Sequence, residues 1–212
     1  MAVDDATLLE RWRGGDLVAG EALFERYYDA IERFFVNKLT DHVDDLVQET
    51  FIACVESRDR LRDGRKFRSF LFTVAHNVLY KRFRRRYRGD ENAMALEQVS
   101  VFDLAPGPIT VTVRSSQERL LLEALRRIPV GSQVLLELFY WEEMTGKEIA
   151  AILEIPEGTV RSRMRTARTH LERAMDRLES KPELLASTKS SLEDWARRLR
   201  ERLRSADARA SR

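Results

Sequence analysis

The sequence is poor in residues that break helices or cross-link the chain. Its 212 residues include one cysteine, five prolines and nine glycines. The single Cys54 excludes an intramolecular disulfide and a CxxC metal site. No run of about 18 apolar residues is present, which excludes a membrane-spanning helix, and the acidic N-terminus does not resemble a signal peptide. We therefore expect a protein of the reducing cytoplasm, with no integral membrane segment.

Net charge is also nearly absent, at +2, but the charges are strongly segregated along the chain. Residues 1–57 carry a net charge of −8 and residues 58–88 a net charge of +10. The following segments carry −4 (89–113), −3 (114–158) and +7 (159–212). Two basic blocks separated by acidic stretches favour contact with a polyanion at two places, ahead of the alternative that the cations only solvate helices.

The hydrophobic pattern predicts helices almost everywhere. Residues 41–56 and 67–87 show apolar side chains at steps of three and four, the period of an amphipathic helix. An earlier helical pair has Thr7 as its predicted N-cap and Gly14-Gly15 as its break. The predicted apolar face of the 41–56 helix consists of Val43, Leu46, Val47, Thr50, Phe51, Cys54 and Val55.

We therefore predict an all-α fold of two small helical domains joined by a flexible linker. The first domain spans residues 1–88, and the linker (89–113) is Pro-Gly-Pro centred and mostly extended. The second domain (114–179) contains a helix-turn-helix. A C-terminal extension (180–212) carries one short amphipathic helix with a stripe of Leu192, Trp195, Leu199 and Leu203.

The helix-turn-helix prediction depends on residues 145–168. Ile149 and Leu153 face inward on a short helix, a tight turn follows, and Pro156 suits the start of the next helix. Val160 and Met164 point inward on that second helix, which would enter a DNA major groove. The side chains left to contact bases and phosphates include Arg161, Ser162, Arg163, Arg165 and Arg168.

The first basic block has aromatic residues interleaved with its cations. This mixture suits unpaired nucleic acid, because bases stack on rings and phosphates bind cations. We assign Phe67, Phe70 and Phe83 to the core and expect Phe72, Tyr80 and Tyr87 to be available for stacking.

Three motifs follow one another along the chain. They are residues 45–51 (DLVQETF), residues 67–77 (FRSFLFTVAHN) followed by arginines, and residues 155–163 (IPEGTVRSR). In these motifs, over residues 5–178, the chain resembles a bacterial RNA polymerase sigma factor of the sigma-70 family, extracytoplasmic-function (ECF) group. The motifs are similar, in order, to the family's polymerase-binding helix, its melting and minus-ten helix, and its minus-thirty-five recognition helix.

This resemblance implies three sets of site residues. The polymerase-binding set is Asp45, Gln48 and Glu49. The set for melting and minus-ten recognition is Arg58, Arg65, Arg68, Phe72, Asn77, Lys81, Arg84 and Arg85. The set for the minus-thirty-five element is Thr159, Arg161, Ser162, Arg163, Arg165 and Arg168.

The resemblance also implies partners: core RNA polymerase (β′ and β subunits), promoter DNA and an anti-sigma factor, with no cofactor and no metal. One departure concerns Glu154, which stands where the family often has glycine in the turn. A positive φ at that non-glycine residue would cost about 1 kcal/mol.

The sequence favours two other function classes less. A polymerase-independent helix-turn-helix regulator would need a dimer interface, and no long heptad is evident. An enzyme is disfavoured, because the three histidines are dispersed and no phosphate-binding glycine loop occurs. Asp44, Asp45 and Glu49 suggest a metal site less strongly than they suggest a solvated or partner-facing helix.

Overall fold

A computed structural model describes residues 3–39, 42–61, 63–86, 98–104 and 116–179. Helices dominate these ranges, which contain no strand, only one isolated bridge between Ser100 and Pro129. The all-α prediction is confirmed, while the predictions for Tyr87 and for the 180–212 extension lie outside the described residues. The helices are α1 (Asp5–Arg13), α2 (Leu17–Val36), α3 (Val43–Ser57), α4 (Phe67–Arg86), α5 (Val101–Leu104), α6 (Ser116–Arg127), α7 (Val130–Tyr140), α8 (Gly146–Ile152) and α9 (Glu157–Leu178).

Helices α1 and α2 both begin at an aspartate cap. An Asp4 carboxylate oxygen accepts a hydrogen bond from the Thr7 backbone N–H at 2.9 Å, and Asp16 accepts one from the Ala19 N–H at 3.2 Å. The prediction of Thr7 as the N-cap is therefore wrong. Asp4 has the extended backbone of a cap, whereas Thr7 already lies in the first helical turn.

In the core of the first helical unit, α1–α4, aromatic rings pack among aliphatic side chains. Phe35, Phe67 and Phe83 have no exposed surface, and Phe34 packs edge-on against Phe72 with ring centroids 5.9 Å apart. Helices α1 and α2 approach closely because Gly20 lies against the Trp12 indole, where a Cβ would come within 2.6 Å of ring atoms. These contacts fix the positions of α3 and α4, which carry the candidate interfaces.

Helix α3 buries a narrower face than the sequence pattern predicts. Leu46, Val47, Thr50 and Cys54 are buried. Phe51 is only half-buried, and Val55 is 37% exposed. The periodicity places the latter two residues on the correct side of the helix. The Phe51 ring packs against Phe24 of α2, with ring centroids 4.6 Å apart, but α2 covers this edge only in part.

The described part of the predicted linker is helical rather than extended. Residues 101–104 form α5, with Val101 and Leu104 buried. The Val130 backbone N–H donates to the Val99 carbonyl at 2.9 Å, which fixes this segment to the start of α7. For residues 98–104 the predicted extended conformation is wrong, because two apolar side chains find a covered site. Residues 89–97 and 105–113 of the predicted linker lie outside the described residues.

The second unit, α6–α9, ends in the predicted helix-turn-helix. Thr145 and Glu148 form a capping box at the start of α8, and the turn between α8 and α9 contains Glu154 at φ +52°. The positive φ anticipated at this non-glycine residue is thus present. Pro156 is the N-cap of α9 rather than its first helical residue.

The two units pack against each other. Helix α4 of the first unit contacts α8 of the second, and the C-terminal end of α2 contacts α7. Residues of both units at this junction are buried, including Lys38 of the first unit and Gln133 of the second.

Candidate partner and nucleic-acid interfaces

Helix α3 presents an acidic and amide face to solvent. Asp45 and Gln48 are exposed, and the Asp45 side chain is 73% accessible, with a carboxylate oxygen 2.9 Å from His42 Nδ1. Glu49 is half-buried, because one of its carboxylate oxygens lies 2.6 Å from the Lys81 ammonium on α4. The three residues assigned to polymerase binding therefore share one helix, but Glu49 already has a cationic partner.

An apolar groove runs beside this acidic face, between α2 and α3. Tyr28 and Ile52 are 42% and 50% exposed, and Leu17 at the start of α2 is 76% exposed. Contiguous exposed apolar surface of this kind is typical of an interaction site. The groove is lined by Phe24, Tyr28, Val47, Gln48, Phe51, Ile52 and Val55, with Asp44 at its edge.

This groove is not apparent from the apolar periodicity of α3. Ile52 falls outside the predicted apolar stripe of α3. An isoleucine on the polar side of an amphipathic helix is the sequence feature that indicates an apolar interaction surface there. Val55 lies on the predicted apolar face of the helix but is exposed. The combination of exposed apolar and acidic groups on one surface indicates a protein partner rather than DNA.

Helix α4 and the turn before it carry an exposed basic surface. Asn77, Lys81, Arg84 and Arg85 are exposed along the helix. Arg65 is 84% exposed and lies 3.0 Å from the carboxylate of Asp63. These side chains are accessible to a phosphate backbone, as the charge pattern predicted.

Other members of the predicted minus-ten set are less accessible. The Arg58 guanidinium lies 5.1 Å from the Trp12 ring centroid, with 31% of its side chain exposed. Arg68 is also 31% exposed and contacts Glu142 of the second unit, 3.6 Å from its carboxylate.

The aromatic residues of α4 require a correction. Phe72 has no exposed surface and Tyr80 is 4% exposed, so neither ring is available to stack on a base. Phe72 packs against Phe34, and the Tyr80 ring lies 4.4 Å from that of His76. Phe72 and Tyr80 are buried because α4 is covered on several sides, by helices of the first unit and by α8 of the second, which the spacing alone did not distinguish.

Helix α9 has the geometry of a recognition helix. Val160 and Met164 are buried as predicted, which leaves Arg161, Ser162 and Arg165 exposed on the opposite side. Thr159, Arg163 and Arg168 are half-buried, and the Arg168 guanidinium lies 5.6 Å from the Tyr140 ring centroid. The exposed groups lie in the N-terminal half of the helix, where a helix-turn-helix contacts base edges.

The described residues offer little for metal or thiol chemistry. No group of three or more His, Cys, Asp or Glu side chains within them is arranged to hold a metal ion. Cys54 is buried, and burial raises the pKa of its thiol to about 12. None of the described helices is both long and apolar enough to cross a bilayer.

Two family models match the chain, one in each helical unit. Residues 23–89 match the family model "Sigma-70 region 2", and residues 118–178 match "Sigma-70, region 4". The chain is 27% identical over 177 residues to the ECF RNA polymerase sigma-E factor of Haemophilus influenzae, covering 79% of this chain and 93% of that one. It is also 27% identical to the RNA polymerase sigma-H factor of Pseudomonas aeruginosa, covering 82% and 95%.

Two solved structures share the arrangement of helices. CnrH, in complex with the cytosolic domain of CnrY, has a TM-score of 0.59 and 25% identity, covering 81% of this chain and 97% of that chain. The sigma factor RpoE of Bartonella quintana, in complex with the anti-sigma factor NepR, has a TM-score of 0.57 and 20% identity, covering 74% and 96%. The second likeness, at 20% identity, concerns the fold alone.

Proposed function

This chain belongs to the ECF group of the sigma-70 family. We propose that its first helical unit binds core RNA polymerase and the displaced promoter strand, and that its second unit binds duplex promoter DNA. The protein is a transcription initiation factor that binds core RNA polymerase and directs it to promoters. The observation that carries this conclusion is the presence of both sigma-70 regions, in order, on one chain. A polymerase-independent regulator is not favoured, because it would leave the region 2 unit without a role.

Polymerase docking is assigned to the exposed face of α3. Asp45 and Gln48 supply polar contacts, and Glu49 joins them when its pair with Lys81 opens. The adjacent groove with Tyr28 and Ile52 supplies the apolar area that a stable protein interface needs at its centre.

Promoter opening and minus-ten recognition are assigned to α4 and the turn that precedes it. Arg65, Asn77, Lys81, Arg84 and Arg85 are accessible to the displaced strand. Arg58 and Arg68 belong to the same surface but have protein partners in this structure. Phe72 is removed from the set because it is buried.

Minus-thirty-five recognition is assigned to the N-terminal half of α9. Arg161, Ser162 and Arg165 are exposed, and Thr159, Arg163 and Arg168 flank them. Since arginine can bind guanine through two parallel hydrogen bonds, the arginines are the residues suited to reading a duplex. The two recognition events are tethered, so each can be individually weak.

The proposal also covers the division of labour with the polymerase, the cellular compartment and a further partner. The protein supplies recognition, and the polymerase supplies the chemistry, so no catalytic residue is assigned. We place the protein in the bacterial cytoplasm, where its polymerase acts. Two of the related structures contain CnrY and the anti-sigma factor NepR, respectively, which supports an anti-sigma factor as a further partner.

In vitro transcription with purified core polymerase and genomic fragments tests the proposal. We expect transcripts with defined start sites only when the protein is present, and co-purification of the protein with core polymerase. Specific DNA binding without polymerase, with no transcripts in the complete reaction, would support the regulator instead.

The docking surface is tested by replacing Asp45 and Gln48 together with alanine. Both side chains are exposed, so the helical content and the unfolding midpoint should stay unchanged. We expect weaker binding to core polymerase in a pull-down or anisotropy titration. Glu172→Ala, an exposed acidic residue of α9, is the matched control; equal binding by the double variant and this control would contradict the assignment.

A further inference from the structure

Helix α1 contacts the loop that connects α3 to α4. The structure describes residues 58–61 and 63–66 of this α3–α4 loop, and they include two single 3₁₀ turns. In the proposed function the loop carries two members of the minus-ten set, Arg58 and Arg65. The backbone conformation of the loop therefore decides where these two cations meet the displaced strand.

Arg13, the last residue of α1, binds the first part of the loop. Its Nη2 donates a hydrogen bond to the Arg58 carbonyl at 2.9 Å and another to the Leu61 carbonyl. Its Nη1 donates to a Glu10 carboxylate oxygen at 2.7 Å, which fixes the guanidinium on its own helix. Only 20% of the Arg13 side chain is exposed. The guanidinium thus binds two backbone carbonyls just beyond the end of α3, a position where cations commonly satisfy carbonyl groups.

A second contact with α1 fixes the other end of the loop. Gly64 is buried, and a Cβ at this position would come within 2.7 Å of Ala6 Cα. Any larger residue would therefore force the loop away from the helix, because the atom in the way belongs to the backbone. Ala6 and Arg13 lie near opposite ends of α1, so one helix holds both ends of the loop.

Helix α1 is itself anchored to α2. The Asp5 carboxylate accepts hydrogen bonds from Arg26 and Tyr27 of α2. Trp12 is buried, and its ring centroid lies 5.1 Å from the Arg58 guanidinium carbon. These contacts make α1 a fixed support for the loop rather than a loosely attached end of the chain.

The contacts with α1 leave the charged side chains of the loop accessible. Arg65 is 84% exposed, and Arg60 and Lys66 are exposed as well. Arg13 binds backbone carbonyls, and Ala6 packs against a glycine, so neither covers these three cations. The match to region 2 begins at residue 23, so α1 precedes the matched segment.

We propose that α1 is a positioning element for minus-ten recognition, in which Arg13 and Ala6 hold the α3–α4 loop in the conformation that binds the displaced strand. Arg13 acts through the loop backbone rather than by contacting the strand. The inference rests on the proposed function, because the role of the loop in recognition comes from it.

Arg13→Lys in the full chain tests this role, because lysine keeps the charge but loses the planar set of donors. The probe is a fluorescent mixed-sequence single strand of about 20 nucleotides, long enough to cover a single-strand site. We expect its affinity to fall about three- to tenfold, as for the loss of one hydrogen bond. The same sequence as a duplex should keep its affinity, because α9 is unchanged. Arg11→Lys is the matched control on the same helix and should change neither affinity, since the Arg11 side chain is 52% exposed and pairs with Asp16.

Hydrogen–deuterium exchange in the free protein reports on the loop itself. The Leu61 N–H donates to the Arg58 carbonyl at 3.3 Å, and the Lys66 N–H donates to the Asp63 carbonyl at 2.9 Å. Arg13→Lys should therefore speed exchange in peptides that cover the loop and leave peptides of α9 unchanged.

A second variant acts on the other end of the loop. Gly64→Ala displaces the loop from Ala6 and should reproduce both effects of Arg13→Lys, faster loop exchange and weaker strand binding. Circular dichroism and the unfolding midpoint check that each variant keeps its fold.

The outcomes separate this inference from the proposed function. Faster exchange throughout the chain, with strand and duplex binding weakened alike, would show a merely structural role and overturn the proposal. Unchanged strand affinity for Arg13→Lys would overturn it too, even if the parent protein supports transcription. Faster exchange confined to the loop, together with weaker strand binding, would support it even if core polymerase gave no transcripts, a result that would count against the proposed function alone.

Discussion

At the scale of single residues, the arginines of α9 differ in their accessibility. Arg161 and Arg165 are exposed, whereas Arg163 is half-buried beside the inward-facing Met164. An arginine whose side chain is already partly packed loses less side-chain freedom when it binds a base than a fully solvated one does. We therefore expect replacement of Arg163 to have the most specific effect, among the arginines of α9, on binding to the minus-thirty-five element.

Arg163→Ala should weaken promoter binding by about 1–3 kcal/mol if the guanidinium contacts a base. Footprinting of the holoenzyme over the minus-thirty-five element measures this effect. Arg173→Ala is the control, since Arg173 is exposed in the C-terminal half of α9. Unchanged protection over the minus-thirty-five element with Arg163→Ala would place the base contact elsewhere.

His76 makes stability depend on pH. Burial lowers the pKa of His76 to about 4, so the folded protein keeps the ring neutral while the unfolded chain protonates near pH 6.5. The stability contributed by this residue is complete above about pH 6.5 and is lost as the pH falls towards 4. Urea titrations at pH 7.5 and 5 should show a loss of about 1–2 kcal/mol that His76→Gln reduces. Equal pH dependence in the two proteins would contradict this assignment.

At the scale of helices, the contact of α1 with α2 depends on a glycine. A Cβ at Gly20 would lie 2.6 Å from the Trp12 ring, and Trp12 is itself buried. Gly20→Ala should therefore destabilise the protein by about 1–3 kcal/mol through overpacking. Gly158→Ala, in the first turn of α9, meets nothing within 4 Å and should be neutral or stabilising. A thermal unfolding midpoint unchanged by Gly20→Ala would show that the two helices can move apart freely.

Sequence patterns predicted where the helices lie better than they predicted which side chains the neighbouring helices bury. The helix-turn-helix, with inward Val160 and Met164, followed from local spacing, and the positive φ of Glu154 followed from the family resemblance. Phe72 and Val55 did not, because periodicity identifies one side of a helix but not how far its neighbours extend over that side. Val101 and Leu104 were overlooked because a short helix next to prolines has too few turns to show a period.

At the scale of the whole molecule, the charge segments were predictable and the junction was not. Net charges per segment follow from the sequence, and the exposed cations of α4 and α9 agree with them. Lys38 and Glu137 lie 99 positions apart, and no local pattern relates two such residues. A buried polar junction can be found only from the tertiary structure.

The junction should make the two units unfold together. If one unit unfolded alone, fully buried groups such as Lys38 and Gln133 would lose their hydrogen-bond partners in the other unit. We expect a single calorimetric transition with equal calorimetric and van't Hoff enthalpies. Two resolved transitions in the parent protein would show that the units are thermodynamically independent.

The attachment of residues 98–104 to the second unit also sets how far the units can travel. Between Arg86 and Gln98 a fully extended chain spans at most about 40 Å, and between Arg86 and Ser116 about 100 Å. The larger reach becomes available only when Val101 and Leu104 leave their buried sites. The packing of these two apolar side chains therefore limits the length of chain that connects the units. We expect the range of distances between promoter elements that the protein tolerates to depend on how stable this packing is.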